Sequence, residues 1–239
     1  MKTGVIEEIL EKIQRDLMKR FGGNLKCLIL YGSWAKGTAR EDSDIDLLAI
    51  FDTVDEKVRK EVTELSWMEG REVTLLTSSV EDFQREKIPL YTAIKREGSI
   101  IWGDVDRKIS SDPAGAKYEE FFRKSKEFEL HKLEMAEWLL ERDFFSSIPE
   151  YCFIAAKHAI QAALAMRGEG YSSKMAILLP LTERHFGCQV AAALRKLLQL
   201  YQTADKKFDS IFRDDARSAL EQAREVLMVY GMVDSQNNR

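Results

Sequence analysis

A chain of 239 residues, 45% hydrophobic and 32% charged, carries apolar mass for one large core or two small ones. That much charge, with no apolar run long enough to span a bilayer, excludes a membrane protein. A formal net charge of −4 also disfavours a protein that grips long nucleic acids, because neutralising phosphates supplies most of that affinity.

Ile6, Ile9, Leu10, Ile13 and Leu17 recur at helical spacing and predict an amphipathic helix over about 3–21. The chain enters this pattern directly, without the apolar core of a signal peptide, so a cytoplasmic protein is expected. Phe21-Gly22-Gly23-Asn24 supplies glycines suited to a helix C-cap. Residues 25–31 form a short apolar run with Lys26 as its one charge, which predicts a buried strand with Lys26 near the exposed start. A polar loop follows, then a strand over 44–51, a helix over 55–68 and a strand over 72–76. A helix over 80–97, interrupted before Pro89, and an edge strand over 99–102 complete this part.

The pattern changes at Ser110-Ser111-Asp112-Pro113-Ala114-Gly115, a linker of breaker residues. Beyond it, helices are expected over 118–142, 149–166, 173–186, 190–201 and 214–230, with a frayed tail over 234–239. Short turns between them predict an antiparallel bundle. The expected fold class is α+β: an α/β domain with a small mixed sheet over 1–109, then an all-α bundle over 115–239.

Cys27, Cys152 and Cys188 follow no metal-ligand spacing, and an odd, sparse set suits a reducing compartment. His131, His158 and His185 form no zinc motif. Metal chemistry must then run on oxygen ligands, which favours magnesium or manganese.

Oxygen ligands converge at one place. Asp44 and Asp46 stand two apart at the start of an apolar strand, so both carboxylates leave the same face while Ile45 and Leu47 leave the other. Two carboxylates on a rigid strand suit a hard divalent cation, and nucleotidyl transfer needs such a clamp. Before them, with ten residues between, Gly32-Ser33 closes the preceding strand. The glycine lets backbone N–H groups approach a phosphate, and the serine hydroxyl adds a donor. Lys36 and Arg40, in the same loop, can offset triphosphate charge, although each alone reads as a solvated loop charge. The combination of strand, Gly-Ser, ten residues, Asp-x-Asp and apolar strand is far more specific than its parts.

This segment resembles the signature of the DNA polymerase β-like nucleotidyltransferase superfamily, especially its minimal and aminoglycoside-modifying branches, over about the first hundred residues. The resemblance implies that Gly32 and Ser33 bind nucleotide phosphates and that Asp44 and Asp46 hold metal. It also implies a third carboxylate on a neighbouring strand, for which Glu72, opening the run Val73-Thr74-Leu75-Leu76, is the candidate. The family often has aspartate here, and the longer side chain leaves open direct ligation or action as a base through water.

Residues 118–230 resemble HEPN helical bundles, through the stretches 149–164 and 197–205. Some HEPN domains are ribonucleases with an arginine and a histidine four to six residues apart. Here Arg123 and His131 have seven residues between them, and Arg184 and His185 are adjacent. His158, in an alanine-rich helix, reads as a packed core histidine. Ribonuclease activity is therefore not expected. Glu120 and Lys124 read as a surface ion pair, and Phe121, Phe122, Phe128, Trp138, Phe144 and Phe145 as core or interface. The bundle is expected to wall the acceptor site and to offer a homodimer interface.

The expected reaction is transfer of a nucleoside monophosphate, AMP from ATP, to a hydroxyl by a two-metal mechanism. The acceptor is a protein side chain or a small cationic molecule such as an aminoglycoside. The competing reading is a non-catalytic nucleotide-binding or antitoxin-like module. A mere binder has little need of two clustered, mutually repelling carboxylates.

Overall fold

The computed structural model describes residues 3–41, 43–65, 67–68 and 71–237; the side chains of 3, 5, 67, 68, 71, 72, 208 and 235–237 lie outside that description. The chain divides into two compact units, Met1–Ser111 and Asp112–Arg239. The fold is α+β, and no helix among the described residues is long and apolar enough to cross a membrane.

In the first unit, α1 (Thr3–Phe21) buries Ile6, Leu10, Ile13 and Leu17 along one stripe. A short turn at Gly22–Asn24 leads into β1 (Leu25–Tyr31). The Asn24 side chain accepts from the Thr53 amide at 3.1 Å and donates to the Thr53 carbonyl at 3.1 Å, tying the start of β1 to the end of β2 (Ile45–Phe51). Between the two strands, the loop opens with a single helical turn, α2 (Gly32–Ala35), where a loop without regular structure was expected.

After β2, α3 (Glu56–Leu65) stops short of the expected residue 68. Trp67–Met68 instead forms a two-residue strand, β3, opposite Glu72 and Arg71 of β4 (Arg71–Ser79). That ladder gives the backbone of 67–68 partners that competed with the helix and won. β4 also outruns the expected 72–76. Its polar end, Thr77-Ser78-Ser79, pairs with Ala49, Ile50 and Phe51, since ladder bonds do not depend on side-chain polarity. Ser79 then caps α4 (Val80–Gln84), accepting from the Asp82 amide at 3.0 Å. α5 (Pro89–Glu97) starts with its proline in the first turn, and β5 (Ser99–Gly103) follows.

The sheet order is β3-β4-β2-β1-β5. β1 pairs antiparallel with β2 and β5, and β2 pairs parallel with β4. Helices cover both faces, so the central strands read as continuous apolar runs. α1 and α3 pack on the face of Leu28, Leu47 and Ala49; α4 and α5 pack on the face of Ile29, Leu48 and Ile50.

A buried ion pair fastens the chain that leaves β5. Lys95 and Glu86 have side chains only 1% and 0% exposed, with Nζ and Oε1 3.0 Å apart. Glu86 also accepts from the Ser110 amide at 2.8 Å and the Thr92 hydroxyl at 2.5 Å. Lys95 donates further to the carbonyls of Gln84 and Lys108, at 3.0 and 2.9 Å. Glu86 sits at φ +51°, a left-handed conformation uncommon outside glycine, and these bonds hold it there.

The second unit is all-helical: α6 (Ala114–Glu141), α7 (Ile148–Met166), α8 (Met175–Phe186), α9 (Cys188–Lys206), α10 (Arg213–Leu227) and α11 (Val229–Asn237). Buried alanines at 155, 156, 159, 162 and 163 let neighbouring helices approach α7 closely. The tail expected to fray from 234 instead continues α11 to Asn237. Val229, Tyr230 and Val233 are buried, the Tyr230 hydroxyl meets Ser125 at 2.9 Å, and Asp234 pairs with Lys126 at 2.7 Å. His158 is not a core residue: its side chain is 43% exposed and its Nδ1 lies 3.0 Å from the buried Glu129 carboxylate. Phe122 is buried, whereas Phe128, Trp138 and Phe144 are exposed; Glu120 and Lys124 form the expected surface pair.

Breaking the buried pair on one side leaves an uncompensated interior charge. Glu86→Gln or Lys95→Met should each cost about 3–5 kcal/mol, and the double variant less than the sum of the two. Chemical denaturation of the full chain measures this, and additive losses would contradict the pairing.

Candidate active site

β1 ends at Tyr31, which stands opposite Asp46 in the antiparallel ladder. The next residue, Gly32, turns the chain at φ +73°. A Cβ at that position would land on Oδ2 of Asp46, with Cγ at 3.0 Å. Glycine is therefore required twice, for the backbone angle and for the space the carboxylate occupies.

The loop then folds back on itself. Ser33 accepts through its carbonyl from the Thr38 amide at 3.0 Å. The indole of Trp34 donates to the Ser43 carbonyl at 3.2 Å, and the Ser43 hydroxyl accepts from the Arg40 amide at 2.8 Å. These bonds close the loop onto the residue before Asp44 and so fix where the acidic pair begins.

Asp44 is exposed and Asp46 half-buried. The pKa of Asp46 is raised to about 6, first by burial and then by the charge of Asp44. Two neighbouring carboxylates in this state, one of them packed against Gly32, fit a divalent cation, which would relieve both the repulsion and the desolvation.

Gly32, Ser33, Asp44 and Asp46 thus come together at one end of the sheet. Lys36, just after α2, is half-exposed and forms an ion pair with Glu97 at the end of α5. Arg40 is exposed in the loop. Glu72 precedes Val73, the register partner of Ile45, so its backbone lies at the same sheet end and has the parity of Thr74, the partner of Asp46. Its side chain lies outside the described residues. Among the described residues no group of three or more acidic, histidine or cysteine side chains gathers as a metal cluster. Trp34, Ser43 and Glu97 were not anticipated. Ser43 carried a faint signal, as a hydroxyl residue just before the acidic pair; the pairing of Glu97 with Lys36 spans 61 positions (97 − 36) and left no local trace.

Residues 10–102 match the family model of the nucleotidyltransferase domain. Over 50 residues the chain is 42% identical to a candidate protein adenylyltransferase of Methanocaldococcus jannaschii, covering 21% of this chain and 34% of that protein. A second candidate protein adenylyltransferase of that organism is 27% identical over 97 residues, 40% of this chain and 97% of that protein. The chain thus spans about a third of the first relative and nearly all of the second. Among solved structures, the spectinomycin adenyltransferase AAD(9) from Enterococcus faecialis, with ATP and spectinomycin, aligns with a TM-score of 0.51. The alignment covers 92% of this chain and 98% of that one at 12% identity, a likeness of fold.

The raised pKa of Asp46 sets a stability profile. Because its folded value, about 6, lies above its ordinary value of 3.8, its contribution is fully present below about pH 4 and is lost as pH rises through 6. In chelator, Asp46→Asn should therefore match the native chain below pH 4 and exceed it above pH 6. The gain is on the order of 1 kcal/mol after allowance for solvent screening. Thermal unfolding across this range measures it, and a variant less stable at pH 7.5 would contradict the assignment.

Proposed function

We propose that the chain is a metal-dependent nucleotidyltransferase that moves a nucleoside monophosphate, AMP from ATP, onto an acceptor hydroxyl at the Gly32–Asp46 end of its sheet. One observation carries the reading: the close packing of the Asp46 carboxylate against Gly32, beside Asp44. The match of residues 10–102 to the nucleotidyltransferase domain supports it.

In this reading the transferase unit is residues 1–109, and Asp44, Asp46 and Glu72 hold magnesium or manganese. When bound, the ion neutralises triphosphate charge and polarises the phosphorus to be attacked. Gly32 keeps the floor of the site free of side chain, so backbone N–H groups reach the phosphates, and the Ser33 hydroxyl adds a donor. Lys36 and Arg40 offset charge at the rim. The loop closure by Trp34 and Ser43 holds Asp44 in place before substrate arrives. Positioning and charge neutralisation therefore supply most of the rate.

For the acceptor, the reading is a protein side-chain hydroxyl. The relatives in Methanocaldococcus jannaschii bear the name of protein adenylyltransferases, which supports a protein acceptor. The AAD(9) likeness is one of fold and does not choose between acceptors.

Incubation with α-labelled ATP and magnesium, with protein acceptors in one arm and aminoglycosides in the other, tests this directly. Label should enter protein, with pyrophosphate released. Asp44→Asn and Asp46→Asn should each lower transfer about 10²-fold or more while circular dichroism stays native. Full activity in either variant would overturn the mechanism. Tight ATP binding without pyrophosphate release would make the chain a nucleotide-binding module, and label on the aminoglycoside alone would replace the acceptor.

A further inference from the structure

Four chain passages meet at the end of the sheet that carries Asp46: the exit of β1 at Tyr31, the entry of β2, the entry of β4, and the step from α5 into β5. The fourth takes no part in the roles above. It is held tightly. A Cβ on Gly98 would stand 2.7 Å from both Cγ2 of Ile29 and the Ile94 carbonyl, so the end of α5 lies directly on β1. Ser99 then pairs with Leu30, one residue before Tyr31. α5 also packs on the sheet face of Leu48 and Ile50, and Asp46 shares their strand parity.

Glu97 is the residue this arrangement places at the rim. Its carboxylate pairs with the ammonium of Lys36, which lies just beyond the Gly32-Ser33 turn. The two side chains are 50% and 45% exposed, in contrast to the sealed Glu86–Lys95 pair of the same unit. An exposed pair of this kind is worth about 0–1 kcal/mol, enough to hold a lysine but not to keep it from a multiply charged anion.

We infer that Glu97 is a displaceable counter-ion, which occupies Lys36 when no nucleotide is bound and yields it to the triphosphate. The inference rests on the proposed function, since it needs the Gly32-Ser33 loop to receive nucleoside triphosphate. Lys36 can bind phosphate only from the fraction of molecules in which the pair is open, so the apparent affinity is lowered by that fraction. A pair worth up to about 1 kcal/mol sets that penalty at roughly fivefold or less. Glu97 is thus a positioning residue that sets nucleotide affinity rather than a group in the chemistry.

Isothermal titration calorimetry of the full chain with Mg-ATP, at one fixed ionic strength, tests the exchange without requiring the acceptor. Glu97→Gln should tighten the apparent Kd about two- to fivefold. Lys36→Ala should weaken it, and the double variant should match Lys36→Ala within the error of the titration. Both side chains are half-exposed, and unchanged thermal unfolding would certify the fold of each variant. A Glu97→Gln affinity equal to or weaker than the native chain's overturns the inference and leaves the nucleotide site standing. Equal tightening in the Lys36→Ala background also overturns it, because the effect would then be a general field and not an exchange of partners. Absence of Mg-ATP binding by both the native chain and Glu97→Gln removes the proposed function and this inference together.

Discussion

In the antiparallel ladder of β1 and β2, Tyr31 stands opposite Asp46, and the geometry of the sheet end follows from that register. It sets the glycine turn against the carboxylate, and it puts Asp46 on the strand face of Leu48 and Ile50. A slip of one residue would exchange the faces of every side chain in β2. Asp46 would then point into the core beneath α1 and α3, the place Ile45 and Leu47 now fill, where an ionised carboxylate has no water and no partner. The register is held far from the site as well as near it. At the opposite end, Asn24 bonds the backbone of Thr53 in both directions, and the intervening apolar residues are buried on both faces.

A sheet covered on both sides leaves its strand ends as the places where polar groups reach solvent from a rigid base. Asp46 is a compromise between the two environments. It is buried enough for its pKa to rise to about 6, and near enough to Asp44 to feel a like charge. Neither effect helps the folded chain at neutral pH. Both favour a group that receives a cation, because burial and repulsion disappear as costs once positive charge fills the space between the carboxylates. The strain belongs to the site, and the buried apolar rows behind it absorb that strain.

Local pattern made much of this legible. Five apolar residues at helical spacing marked α1, and an apolar run broken only by Lys26 and bounded by turn residues marked β1 to its end residues. Gly32, Ser33, Asp44 and Asp46 could be read because the motif lies within one loop and its two strands. What escaped was decided by partners distant in sequence or by backbone pairing blind to side chains. Trp67 and Met68 left the helical pattern for a ladder with Glu72 and Arg71. The polar end of β4 became strand because Ala49, Ile50 and Phe51 offered it a backbone. α11 persisted past the expected fraying point because Tyr230 and Asp234 find Ser125 and Lys126 more than a hundred residues earlier.

The two lysine–glutamate pairs in which α5 takes part have like chemistry and different settings. Lys95 and Glu86 are sealed from solvent, and their remaining donors and acceptors are met by Thr92, Ser110 and two carbonyls. In such a place the pair cannot open without leaving a charge stranded, so it behaves as a fixture and pins residue 108 to α5 and residue 110 to Glu86. Lys36 and Glu97 keep half their surface in water, and water takes over whatever the pair gives up. Opening there costs little, and the lysine becomes available to any stronger anion that arrives. Since α5 contributes Lys95 to one pair and Glu97 to the other, one nine-residue helix is anchored by a bond that does not exchange and presents one that does. Burial, and not residue type, separates the two roles.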